Sequence, residues 1–418
     1  MKRRSFLQYS VSFLGGTYLT NDNVGVSFAG DYDAKISKNE NSVIFLFLGG
    51  GSTHIETFNP IPEAPIERRS VTGAVKTNVN GIQIGGLFEK LATKSDKIAI
   101  YHGFHHKDSN HQTATHWVVD GEKNQGGTMQ KAPSYGALVA GYYGPISQPN
   151  GLPTYIKMNK IDGDGPAWMG QKFMGYEANA QGVSDLQLKM HKDRFLFRKE
   201  ILSKIENFSQ IQRIKSGVGW VDLQNQAADA IMGKAGASFR IQEDAEFEIF
   251  KDDGLGRDML SGMRAIENGA KFVNIEFGGW DMHGDITGGL RSRQTVLDKY
   301  LALLIDALER RGLNKNVMLV VASEFGRTPK LNATAGRDHW SGSVPLMISC
   351  AGYEMGRIIG RTNNNAEFPE DGLCTPEDLK WTILSHMGLQ RGNAWVATDG
   401  RPMPVTGNEE KNILTDIA

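Results

Sequence analysis

The chain has 418 residues, enough for one large α/β domain or two average ones. Its 46 Lys and Arg nearly balance 47 Asp and Glu, leaving a net charge of −1, and the basic residues are scattered. That excludes an electrostatic case for nucleic acid or an anionic membrane surface as partner. Two cysteines, Cys350 and Cys374, fit neither a disulfide framework nor a CxxC metal site and read as isolated thiols.

At the N-terminus, Lys2-Arg3-Arg4-Ser5-Phe6-Leu7-Gln8 resembles a twin-arginine export signal. Residues 9–19 are only mildly apolar and rich in Ser and Gly, too short and too weak for a transmembrane helix. The alternative is a basic cap on an ordinary helix. The expected organisation is a signal peptide at 1–30, a polar linker at 31–41 and one domain at 42–418, delivered folded to the periplasm.

The run 42–48, SVIFLFL, has the length and continuous apolarity of a central parallel strand, and it stops at Gly49-Gly50-Gly51. Residues 97–101 read as the next strand and feed a loop carrying His102, His105, His106 and His111. A short helix is expected at 134–142 and a strand at 154–157. Residues 184–230 show apolar positions at helical spacing, the pattern of an amphipathic helix packed outside a sheet. A helix at 254–269 closing on Gly269 precedes a strand at 271–277. Leu297, Leu301, Leu304, Ile305 and Leu308 form one stripe of a helix at 292–311. Strands follow at 317–322 and 344–350. Thr375, Pro376 and Glu377 open the last helix, which runs to Met387 with Gly388 beyond. Alternation of strand and helix predicts a single α/β domain with a large, mostly parallel sheet sandwiched by helices.

Parallel α/β sheets place ligands just past the carboxyl ends of their strands. Here the strand ends carry Asp281 and His283 after Gly278-Gly279-Trp280, then Glu324, with Asp338 and His339 in a Gly-led loop. His54 and Glu56 follow the first strand. Carboxylate and imidazole at such places are ligands for a divalent cation: zinc, calcium or another. Capped turns are the plain alternative for any one of them. Asp338 can bind directly or orient His339. Arg327 suits bidentate recognition of an oxyanion, or an ion pair with a structural carboxylate. Ser109 (or Thr113) beside a metal can act as a nucleophile, with His111 nearby.

The motifs GGGSTHIETFNP, SNHQTATHW, GGWDMH, SEFGRTP, GRDHW, PEDLKWTIL and GRPMP resemble those of a large bacterial, twin-arginine-exported family called domain of unknown function 1501. Glu56 and Asn59 stand where the resemblance leads one to expect Asp. The family is grouped by resemblance with the alkaline phosphatase and sulfatase superfamily. The resemblance implies an alkaline phosphatase-like fold with metal at the carboxyl edge of the sheet. Phe325 stands where the superfamily carries an imidazole ligand, which weakens a second metal position.

Two functions follow as expectations. The first is an exported, metal-dependent hydrolase of small-molecule or glycan esters of phosphate or sulfate, with Ser109, His111 and Arg327 as its catalytic groups. The second is a non-catalytic exported protein that keeps the site to bind metal or an anionic glycan.

Overall fold

A computed structural model describes residues 27–29, 39–123, 130–147, 151–178, 193–198, 200–201, 235–396, 401–407 and 409–417. Eight strands form the central sheet: β1 (Ser42–Phe47), β2 (Ala99–Tyr101), β3 (Tyr155–Lys157), β4 (Tyr176–Glu177), β5 (Phe272–Glu276), β6 (Val317–Ala322), β7 (Leu346–Ser349) and β8 (Arg357–Ile359). Their spatial order is β8-β2-β7-β6-β1-β5-β3-β4. Strand β7 runs antiparallel to both neighbours, and the other pairings are parallel.

The central strand explains its own sequence. Ile44 and Leu46 enter one core while Val43, Phe45 and Phe47 enter the other, so every position is apolar or buried. The first core is closed by helices α3 (Gly254–Glu267) and α4 (Ile286–Arg310). The second is closed by α1 (His111–Asp120), α2 (Tyr135–Tyr143) and α5 (Pro376–His386). The expected sandwich is therefore present, and the Leu297 to Leu308 stripe is buried on the first face.

Helix α4 starts six residues earlier than the apolar stripe suggests. Asp285 caps it, accepting from the Gly288 amide at 3.2 Å, and Gly289 leaves room for the Met282 side chain. Gly288 and Gly289 fall in its first turn, and the helix begins beside His283. Strand β7 is antiparallel because the chain returns from β6 through a loop and a two-stranded ribbon, Gly326–Arg327 with His339–Trp340, with no crossover helix.

Helix α5 has the expected N-cap Thr375 and first-turn Pro376, and Asp378 completes a capping box. Of the stretch 184–230, only 193–198 and 200–201 are described, and they are helical; the rest lies outside the described residues. Most of the expected signal and linker also lies outside them. Ser27–Ala29 pairs antiparallel with Ala394–Val396. Among the described residues no helix is long and apolar enough to cross a membrane. Both cysteines are buried and free.

Candidate metal centre

Adjacent strands β6, β1 and β5 end at one edge of the sheet, and their loops meet there. The glycine loop after β1 touches the β5 loop backbone to backbone. A Cβ added to Gly50 (φ +110°) would lie 2.7 Å from the Asp281 amide nitrogen, so only glycine permits this approach. Gly50 N also donates to Glu324 Oε1 at 2.8 Å, tying in the β6 loop.

Three imidazoles surround Asp281. His283 Nε2 lies 3.0 Å and His339 Nε2 3.2 Å from Asp281 Oδ1, and His111 Nε2 lies 3.4 Å from Oδ2. The two Nε2 atoms of His283 and His339 are 3.0 Å apart. Each ring has its other nitrogen on an acceptor. His283 Nδ1 meets Asp338 Oδ1 at 2.9 Å, His339 Nδ1 meets the Ser109 carbonyl at 2.9 Å, and His111 Nδ1 meets Glu324 Oε1 at 2.8 Å. An acceptor at Nδ1 places the ring proton there, leaving the Nε2 lone pair of the neutral imidazole facing Asp281. Lone pairs and a carboxylate then face one another at contact distance, an arrangement that a cation relieves.

The spacing suits a metal ion. A tetrahedral ion with bonds of about 2.0–2.1 Å has ligand atoms roughly 3.3 Å apart. The Asp281, His283 and His339 atoms form a triangle with edges of 3.0, 3.2 and 3.0 Å. His111, Asp281 and His339 also keep their ligand atoms within 4.8 Å of one another. The residues present therefore fit a divalent cation.

Charge at the site is set by neighbours. Burial disfavours the Asp281 carboxylate, but the Arg327 hydrogen bond and charge outweigh it and hold the group at about 2. The hydrogen bond to Glu324 raises His111 against burial, with the Glu324 and Asp281 charges adding to it. Burial lowers His339, and the nearby Arg327 charge adds to that. The contact with His283 lowers Asp338.

Several expected site residues serve one step back from the cluster. Glu324 is buried and accepts from Gly50 N, the Ser323 hydroxyl (3.0 Å) and His111 Nδ1, so it orients His111. Asp338 orients His283. Ser109 contributes its carbonyl, and its hydroxyl pairs with Ser341 Oγ at 3.1 Å.

Arg327 is 1% exposed and donates to the carbonyls of Gly51, Gly50 and Arg337 and to Asp281 Oδ1 (2.5 Å), with His283 Nε2 at 3.4 Å. Its N–H donors are thus committed within the protein, which corrects the expectation of a bidentate oxyanion anchor.

His54 and Glu56 are not brought to this cluster. Glu56 is fully buried and accepts from Arg337 Nη2 (2.8 Å), Thr53 Oγ1 (2.6 Å) and Val71 N (3.2 Å), which engages both its oxygens. His54 Nε2 meets the Ala366 carbonyl at 2.8 Å, and burial lowers its pKa to about 3. Both point into the body because their helical turn, His54–Thr57, is buried throughout. His102 is held by the Phe58 carbonyl and His106 by the Glu324 carbonyl, and His116 is buried.

The sequence matches the family described as "Protein of unknown function (DUF1501)" over residues 40–417. The chain is a DUF1501 protein. A search of curated proteins finds no match for it. Among solved structures it is similar to the PsFucS1 sulfatase from Pseudoalteromonas sp., with 11% identity and TM-score 0.44, covering 100% of this chain and 77% of that one. It is similar also to the lipoteichoic acid synthase LtaP from Listeria monocytogenes, with 11% identity and TM-score 0.41, covering 98% and 81%. TAB5 alkaline phosphatase, a His-to-Glu mutant with Mg bound, matches with 10% identity and TM-score 0.38, covering 85% of this DUF1501 chain and all of that one.

Sequence reading missed two features of this DUF1501 site. The sequence places His111 among the catalytic candidates, and the fold turns its Nε2 inward beside those of His283 and His339. Its position as first residue of α1, behind the Asn110 cap, was the available signal. The second feature is Arg337, whose buried pairing with Glu56 has no signature in GRDHW.

Proposed function

We propose that this protein is an exported, metal-dependent hydrolase of sulfate or phosphate esters. The single observation that carries the reading is the convergence of three imidazole Nε2 atoms on Asp281, each ring turned by an outward Nδ1 contact. A divalent ion held there would supply Lewis-acid polarisation of an ester oxygen and would make water more acidic.

The chain's own residues do the rest. Asp281, His283, His339 and His111 would hold the ion. Asp338, the Ser109 carbonyl and Glu324 fix the three rings, so the ligand set is assembled before substrate arrives. Arg327 keeps Asp281 ionised. His111 keeps its Nδ1 proton on Glu324, which aims its Nε2 at Asp281. Ser109, exposed at the rim, is the candidate nucleophile, and Ser341 Oγ positions its hydroxyl. The twin-arginine-like N-terminus supports a location outside the cytoplasm.

A second reading has one observation in its favour. Arg327 Nη2 already reaches Asp281 Oδ1, so an internal cation partly neutralises the carboxylate. On that reading the protein binds metal or an anionic glycan without turning it over. Metal content per purified chain, followed by a panel of aryl sulfates, aryl phosphates and sulfated oligosaccharides, separates the two. Turnover that disappears with chelator supports the hydrolase. Stoichiometric metal without turnover of any ester supports the binding protein, and metal-free protein that stays inert to added zinc, calcium or manganese and binds no sulfated oligosaccharide removes both.

A further inference from the structure

With Arg327 committed inside the protein, the anion-recognising cation must come from elsewhere. Arg293 stands on α4, exposed, with its guanidinium carbon 5.3 Å from the centroid of the buried Phe277 ring. On its other side is Gly279. A Cβ added there would lie 2.7 Å from Nε, 2.8 Å from Nη2 and 3.0 Å from Cζ of Arg293, so the guanidinium rests directly on the bare α-carbon of that glycine.

Aromatic ring and glycine backbone together hold this side chain in place. Among the described residues it makes no hydrogen bond or ion pair. Arg327 and Arg337, by contrast, spend their donors on carbonyls and carboxylates. A cation that is positioned yet left without an anion is organised for a ligand, since its planar fork matches an oxyanion at little further ordering cost.

Its location says which ligand. Gly279 precedes Asp281 by two residues, so their α-carbons are at most roughly 7 Å apart. The guanidinium rests on Gly279, so it lies within roughly 14 Å of the Asp281 carboxylate, a span that one oligosaccharide carrying two anionic groups covers. We propose that Arg293 recognises a second sulfate or carboxylate of a polyanionic glycan whose reacting ester sits at the His111, Asp281, His283 and His339 cluster. This rests on the ester-hydrolase reading and names its substrate class.

The test uses zinc-supplemented wild type, Arg293→Gln and Arg293→Lys, with calorimetric titration of a disulfated trisaccharide and its monosulfated counterpart. Turnover of a singly charged aryl sulfate is measured in parallel. Wild type should bind the disulfated sugar at least roughly tenfold more tightly, as expected for one added charge-assisted contact. Arg293→Gln should abolish that preference, and Arg293→Lys should keep part of it. Metal content, unfolding temperature and aryl sulfate kinetics should stay unchanged in both variants.

Wild type without the preference, or Arg293→Gln retaining it, overturns the proposal. An Arg293-dependent preference in a protein that hydrolyses no ester keeps the anion site and rejects the hydrolase reading, so the two failures are distinguishable.

Discussion

His283 and His339 face each other through Nε2 atoms 3.0 Å apart while each commits Nδ1 to an acceptor, Asp338 for one and the Ser109 carbonyl for the other. Two neutral rings so oriented repel unless a positive species lies between them and Asp281. The chain spends a carboxylate and a backbone carbonyl, from separate segments, to enforce that orientation. The metal reading therefore rests on how the rings are turned as well as on how close they stand.

Asp281→Asn keeps the shape of the residue but removes the charge that a divalent ion needs. Bound metal per chain should fall to near zero while the unfolding temperature changes little, because Asp281 is half-exposed in a loop. Metal analysis beside a thermal melt checks this. Unchanged metal content would leave Asp281 as the partner of Arg327 only.

Asp338→Asn probes the ring orientation separately. Asp338 lies behind His283, so its loss should weaken metal affinity by roughly 10–100-fold without abolishing binding. A competition titration with a chromogenic chelator reads the change. A loss as complete as that of Asp281→Asn would make Asp338 a direct ligand.

The general layout was legible in the sequence because buried parallel strands must be apolar throughout and their ends must carry the site. The run 42–48 and Val317–Ala322 announced themselves in this way, and Asp281 and His283 stand just past the end of β5. Glu56 was not legible, because a carboxylate following a strand looks the same whether it faces a metal or a buried guanidinium. Its fate depends on Arg337, 281 residues away, and no local pattern carries that contact. Arg327 left two readings open for the same reason: three backbone carbonyls from two other segments and the Asp281 carboxylate absorb its donors, which is the ion-pair reading.

Glu56→Gln tests the reassignment. Both Glu56 and Arg337 are fully buried, so removing one charge strands the other, at a cost of about 3–5 kcal/mol. The variant should be clearly destabilised in chemical denaturation, yet its folded fraction should retain metal. Metal loss with unchanged stability would return Glu56 to the site.

Acid sensitivity should come from buried histidines away from the Asp281 cluster. His386 Nε2 meets the carbonyls of Ser42 (3.2 Å) and Asn316 (3.1 Å), and burial lowers its pKa to about 4, as it lowers that of His54 to about 3. In the unfolded chain both take a proton near 6.5. The folded state resists that proton, so the stability they contribute is complete above pH 6.5. It is lost progressively as pH falls, and the loss levels off only once the folded pKa values of about 4 and 3 are passed. Each can cost on the order of 3 kcal/mol at the acid end. Denaturation midpoints of metal-free protein measured from pH 7.5 to 4.5 should fall steadily, and His386→Gln, which keeps a side-chain N–H donor, should flatten the slope. A midpoint that holds constant between pH 6.5 and 4.5 would show that neither ring is kept neutral by the fold.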